Sequence, residues 1–167
     1  MLGIRAAPTA DAQRPKAIEY SDGYHVRLKI HQIGSYLELP LFAAELIVGQ
    51  RLAHDRDRGE PSASGLRSAH TALATGLGVL FTVNTVTGLW NIWESRNDPA
   101  GRTRRILHTV GMLAADAGFL ATAGAAPESD DDFGRREGGS VGRHRNLAIA
   151  SVSVATLSTA MMWLWKD

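Results

Sequence analysis

The sequence predicts an all-α fold, an integral-membrane four-helix bundle running up-down-up-down. Three observations lead there: four long apolar segments, aromatic and charged residues gathered at segment ends, and one histidine at the entrance of each segment. The chain has 167 residues, one domain's worth of material, and a formal net charge of +1 that points to no nucleic-acid partner. Its mean hydropathy of −0.11 is that of a soluble protein. That average is misleading, because a polar N-terminal stretch (1–27) and an acidic, glycine-rich loop (128–142) dilute the apolar segments. By composition the tail before Glu19 and the loop from Glu128 to Gly142 are expected to be flexible, ordering only against other subunits.

The first helix is expected over 30–53. After His31, the stretch from Ile30 to Gln50 carries only Glu38 and Glu45 as charged groups, and Pro40 predicts a kink that frees a carbonyl near Tyr36. The second helix, 66–94, follows His70 with an uncharged run from Thr71 to Trp93. The third, 104–126, places His108 ahead of a segment whose only other charged group is Asp116. The fourth, 144–166, follows His144 with an uncharged run from Asn146 to Trp165. About 20 residues at ~1.5 Å rise cross a ~30 Å hydrocarbon core, so each segment has the length of a spanning helix. A soluble bundle of buried helices is the competing reading, and the length of the uncharged runs weighs against it.

The segment ends agree with a bilayer. Trp90 and Trp93 close the second segment, and Trp163, Trp165 and Lys166 close the fourth, the aromatic-then-charge order of a headgroup boundary. Gly76, Gly78, Gly88, Gly111, Gly118 and Gly124 allow helices, or a flat cofactor, to approach closely. With both termini on one side, that side holds ten Lys or Arg and the other holds eight, which leans toward cytoplasmic termini. The first 27 residues lack the apolar centre of a cleavable signal peptide, so the first spanning helix is expected to direct insertion. With no cysteine in the chain, disulfides, iron–sulfur ligation and covalent c-type haem attachment are excluded.

The histidines are the main clue to function. In an up-down-up-down bundle the first and third helices run the same way, so His31 and His108 fall at one depth, and His70 and His144 at the other. Two imidazoles on separate helices are the usual axial ligands of a low-spin b-type haem. The expectation is one or two haems b, held by His31 with His108 and by His70 with His144. Gly34 and Gly111, each three residues after a histidine, would open room beside the macrocycle. His25 and His54 are rival ligands. Arg67, Arg143 and Arg145 at one end, and Lys29, Arg104 and Arg105 at the other, are candidates to neutralise haem propionates. Against all this stands the ordinary tendency of His, Arg and Trp to collect at membrane boundaries.

Glu38 and Glu45 lie seven and fourteen residues after His31, on one stripe of the first helix. Acids inside a membrane are costly and usually functional, so Glu38, Glu45 and Asp116 are candidates for a proton relay, for contact with a quinone, or for orienting a ligating histidine. Interhelical glue is the alternative for Glu38 and Asp116, a carboxyl bonded to Asn84, Thr85, Thr87, Ser151 or Ser153 on neighbouring helices, and snorkelling toward Arg51 is the alternative for Glu45. If only one haem is present, these acids favour His31 and His108.

HQIGSYLELPLFAAELIVGQ, SAHTALATGLGVLFTVNTVTGLW, the basic loop GRTRRILH and the fourth helix together resemble the DUF2231-type small four-helix bacterial membrane proteins over roughly residues 28–165. That resemblance implies architecture and a multi-pass place in the bacterial inner (plasma) membrane. A looser similarity is to the cytochrome b561 core, in which four helices each supply one histidine to two b-type haems. It implies the pairing of His31 with His108 and His70 with His144. This chain departs from that pattern in lacking further helices and any ascorbate or ferric-substrate motif.

Two functions follow from the sequence. One is a membrane b-type cytochrome that carries electrons across or into the bilayer, with the quinol-linked anchor subunit of a redox complex as one form of it; its partners would be the lipid bilayer and a redox partner or other membrane subunits. The other is a cofactor-free accessory or scaffold subunit. Cation transport through the acids lacks the repeats and broken helices of many transporters. No nucleophile–base spacing, phosphate loop or HExxH motif supports a stand-alone enzyme.

Overall fold

The computed structural model describes residues 18–126 and 138–165, which form four helices and, among the described residues, no strand. They are α1 (Asp22–Asp57), α2 (Ser64–Glu94), α3 (Arg102–Gly124) and α4 (Gly138–Leu164). α1 begins within the stretch expected as a polar tail. Ser21 caps it by accepting the Tyr24 N–H at 3.1 Å, and Asp22 lies in the first turn, where a negative charge is favoured. The helix continues through Pro40. α4 also starts earlier than expected; the rest of the expected loop, up to residue 137, lies outside the described residues. Gly59 after α1 and Gly101 before α3 adopt left-handed φ angles of 67° and 60°, which set the ends of these helices.

α2, α3 and the 141–164 part of α4 are each long and apolar enough to cross a membrane. α1 is not among them, and the polar residues Gln32, Ser35, Glu38 and Glu45 in its middle are the reason. The distribution of exposure is inverted relative to a protein with an oily core. Leu120 and Leu164 are 76% and 80% exposed, whereas Glu38 and Asn84 are 1% exposed. Ser151, Ser158, Thr122 and Asn91 are buried with them, and the apolar core reduces mainly to Phe42, Leu77, Phe81, Ala115 and Ala155. An apolar exterior around a polar, small-residue interior is the arrangement expected when lipid replaces water as solvent.

α1 packs along α2 and α3 along α4, and the two hairpins meet more lightly. Contacts ascend one helix as they descend its partner. On the first hairpin Arg27 meets Glu94, His31 meets Gly88, and Gly49 meets His70. On the second, Gly111 meets Ser158 and Gly118 meets Ser151. Two glycines seven residues apart thus face two serines seven apart, and a Cβ on either glycine would collide with the opposing hydroxyl. Phe42, Phe81 and Phe119 join the hairpins, with Phe81 and Phe119 edge to face at 4.8 Å.

A polar clamp closes the end of the bundle near the start of α1. The Tyr20 hydroxyl donates to Asp98, Arg27 pairs with Glu94 and donates from Nε to Asn91 at 3.0 Å, and Arg105 donates to the Ser95 and Asp98 carbonyls. Burial and the neighbouring Asp98 carboxylate push the Tyr20 phenol up to about 12. The same hydrogen bond holds Asp98 below the usual carboxylate range.

Two predictions follow from this packing. Gly111→Val should lower the thermal midpoint in detergent, with a cost of roughly 1–3 kcal/mol from overpacking against Ser158. Gly76→Ala, where nothing lies near the added methyl, should leave the midpoint level or raise it. Tyr20→Phe tests the clamp through pH. A raised phenol contributes stability below its unfolded pKa of ~10 that is lost as pH rises through about 12, and a depressed Asp98 contributes stability above ~4 that is lost as pH falls further. The wild-type advantage in melting temperature over Tyr20→Phe should therefore be level from about pH 5 to 9 and narrow on either side.

Candidate functional site

The four histidines that open the apolar segments meet as two pairs. The His31 and His108 rings lie 6.0 Å apart between centroids, with planes at 88°, and the His70 and His144 rings lie 6.1 Å apart at 69°. Two metal–nitrogen bonds of about 2 Å plus two imidazole radii give roughly 6 Å between ring centres, so the separation in each pair, though the rings meet edge-on, is that of two imidazoles sharing one metal.

Each ring is oriented through the same nitrogen. Nδ1 of His31 donates to the Asn84 carbonyl at 3.0 Å, Nδ1 of His108 to the Ser158 carbonyl at 3.0 Å, and Nδ1 of His144 to the Thr122 carbonyl at 2.8 Å. A backbone carbonyl only accepts, so these bonds place the proton on Nδ1 and leave Nε2 with the lone pair that binds metal. His70 differs: its Nδ1 lies 2.9 Å from Oε1 of Glu45, at ion-pair distance though not aligned as a straight hydrogen bond. Glu45, expected to snorkel toward Arg51, meets a histidine instead. Outer partners of this kind fix the tautomer and direction of a ligating imidazole.

The glycines explain how the rings reach their carbonyls. Gly34 packs on the Asn84 side chain and Gly111 on the Ser158 side chain, the same residues whose carbonyls accept from His31 and His108. Each H-x-x-G turn therefore grips one residue of the facing helix, histidine by its carbonyl and glycine by its side chain. Gly34 and Gly111, expected to line a porphyrin slot, line neither cavity described below, and their place is helix against helix. Gly88 lies against the His31 ring and lines the smaller cavity: a Cβ there would sit 3.1 Å from Cε1 of His31.

The two hairpins repeat this arrangement. H-x2-G-x7-F occurs at 31, 34 and 42 and again at 108, 111 and 119. His31 bonds the residue fourteen after His70, and His108 the residue fourteen after His144. Conversely His70 meets Glu45, fourteen after His31, and His144 bonds Thr122, fourteen after His108. Fourteen residues are four turns and about 21 Å, so each helix offers one ring at one level and one partner at the other.

Cavities open between the hairpins at both levels. One of about 830 Å³ is lined by His70, His144, Glu45, Asp116, Arg67 and Arg145, with Phe42, Phe81 and Phe119 at its inner end. The other, about 250 Å³, is lined by His31, His108, Gly88, Met112, Met162 and Arg105. Cofactor pockets are commonly ~300–1,000 Å³. The rival histidines are elsewhere: His25 is exposed beside Tyr24, His54 is exposed beside Arg58, and neither lines a cavity. Arg143 and Lys29 are exposed, and Arg104 donates to the Trp165 carbonyl.

The inner acids are held between helices. Asn84 Nδ2 donates to Glu38 at 2.7 Å, and Thr85 donates to Asp116 at 2.6 Å. Asp116 also lines the larger cavity, whereas Glu38 lines neither. Among the described residues, no three His, Cys, Asp or Glu side chains gather as a metal site. Each pair offers two nitrogens, which is what an iron already held by four pyrrole nitrogens still requires.

No protein-family model, curated protein or solved structure matches the chain. The meaning of the site therefore rests on its own geometry.

Sequence reasoning identified the four histidines and named Asn84 and Thr85 among the partners of the inner acids, but missed the carbonyls of Asn84, Ser158 and Thr122, which belong to the backbone and carry no residue-type signal. The repeated H-x2-G-x7-F was the available clue. A double-mutant cycle tests the inner polar contact. Asn84→Leu should cost about 1–3 kcal/mol by leaving Glu38 buried without its donor, and adding Glu38→Met should restore most of that loss in thermal unfolding.

Proposed function

We propose that this protein is an integral-membrane, up-down-up-down helical bundle that binds b-type haem between paired histidines and carries electrons through the bilayer. The observation that supports this reading is the pairing itself: two neighbouring imidazoles at each level, three of the four rings held by a backbone carbonyl on Nδ1, which leaves Nε2 with a lone pair to offer a metal. When bound, haem would supply one-electron chemistry. The chain would hold the iron through His31 with His108 and His70 with His144. It would exclude water with Phe42, Phe81 and Phe119, and Arg67 and Arg145 would face carboxylate substituents at the rim of the larger cavity.

The two levels are not equal. The cavity beside His70 and His144 is about 830 Å³ against about 250 Å³ beside His31 and His108. With a single haem, volume favours His70 and His144, the reverse of what the acids on α1 suggest. Three helices of spanning length, exposed apolar side chains and an exposed Trp90, Trp93 and Trp163 at one end support residence in a membrane, with α1 included through its packing on α2. The inner membrane of a bacterium, with cytoplasmic termini and a quinol-linked redox partner, is the setting in which this activity fits best.

The visible spectrum of protein purified in detergent from haem-replete cells tests the proposal. It should show a Soret band and a sharp α-band on reduction, and His70→Ala or His144→Ala should remove at least one haem per chain by pyridine haemochrome assay. A colourless wild-type protein that also takes up no added haem overturns the reading and leaves the cofactor-free scaffold in its place.

A further inference from the structure

Resting on the bis-histidine reading, we infer that Glu45 is a positioning residue that lowers the reduction potential of the His70–His144 centre. The argument begins from the repeat. Glu45 and Thr122 occupy equivalent places, each fourteen residues after the leading histidine of its hairpin, and each partners the histidine of the following helix. On the second hairpin that partner is the neutral carbonyl of Thr122, 2.8 Å from His144. On the first it is a carboxylate oxygen, 2.9 Å from His70. Asn84 and Ser158 supply carbonyls to the remaining two rings, so one ring of the four meets an acidic side chain, at ion-pair distance and not as a straight hydrogen bond.

The chemical consequence has a definite sign. A carboxylate at Nδ1 draws the proton toward itself and leaves more electron density on Nε2, making that nitrogen the better donor. Ferric iron carries one more positive charge than ferrous iron, so both the stronger donor and the nearby negative charge stabilise the oxidised form. The chemistry such a group would supply is transfer of one electron with no bond made or broken, and His70 and His144 would hold it in both states. Glu45 is well placed for this: its side chain is 18% exposed, and its Oε2 is buried without a hydrogen-bond partner, so solvent screens the charge poorly. Arg67 and Arg145 line the same cavity and act in the opposite direction, while Asp116 and any carboxylate the arginines bring to the rim add to the effect of Glu45. Substituting Glu45 alone separates its contribution from theirs.

The test is an equilibrium redox titration of detergent-purified holoprotein at the reduced α-band, with a dithionite-class reductant and mediators, comparing wild type with Glu45→Gln. The glutamine keeps the shape and a carbonyl oxygen at Nδ1 but removes the charge. One titrating component should become at least tenfold easier to reduce, about 59 mV for a one-electron couple, with the low-spin spectrum retained and any second component unmoved. Haem retained with an unmoved potential overturns the inference while leaving the bis-histidine reading intact. Wild-type protein without haem overturns that reading itself. Should Glu45→Gln shed haem, Glu45→Asp, which keeps the charge, decides: haem held near the wild-type potential supports the inference, and a shift upward of tenfold or more overturns it.

Discussion

Close approach of paired helices at small residues is the constraint on which the rest of this structure depends. An imidazole is short, and its Nδ1 reaches a carbonyl on a neighbouring helix only where the two backbones come together. Gly34 and Gly111 create that approach one turn beyond His31 and His108, and the residue gripped in each case, Asn84 or Ser158, is the one whose carbonyl accepts. Helical carbonyls are normally engaged by the N–H four residues on, so these oxygens accept a second, bifurcated bond through their remaining lone pair. Enlarging either glycine would push the facing helix away and loosen the histidine that precedes it. Packing and ligand orientation are thus one property of the H-x-x-G turn.

Burial of polar groups follows from the same economy. Helices in lipid gain little from hiding leucine, since lipid tails are as apolar as the side chain, and so the interior is left to groups that bond or pack closely. Glu38 with Asn84, Asp116 with Thr85, and the Ser151 and Ser158 hydroxyls against glycine fill the helix–helix seams, while Leu120, Leu164 and Ile47 turn outward. The hairpins are tight because their seams are small and polar. The space between hairpins is wide because large side chains, chiefly Phe42, Phe81 and Phe119, hold them apart. A flat cofactor needs that inequality, with two firm walls and a gap.

Much of this was legible in the sequence, and the physical reasons are specific. Uncharged runs as long as Thr71 to Trp93 admit few structures, so helix number and order could be read directly. The histidine pairs could be read because direction alternates and depth is then fixed by counting residues. What was not legible depended on backbone or on register. Asn84, Ser158 and Thr122 contribute carbonyls that any residue would possess. The first turns of α1 look polar in composition, yet Ser21 caps them and Arg27 ties them to Glu94 and Asn91. Gly34 and Gly111 were noticed for their spacing, but whether a glycine faces a cofactor or a helix depends on rotation about the helix axis, which spacing from one histidine does not give.

The departure from the repeat at Glu45 shows where the two levels of the bundle part. A hairpin duplicated without change would place equivalent carbonyls on all four rings and similar space at both ends. Here Thr122 keeps the carbonyl and Glu45 replaces it with a side chain, which reaches His70 from a helix that also carries Pro40 one turn and a half earlier. Proline supplies no N–H, so the helix around it is held by fewer internal bonds and is freer to deviate from its counterpart α3. The larger cavity, the carboxyl side chain and two rim arginines all fall at this level, whereas the cavity at the level of His31 and His108 is smaller. Unequal ends on a nearly symmetric frame thus give the two histidine pairs different surroundings, although the residues that position them are counted off in the same way.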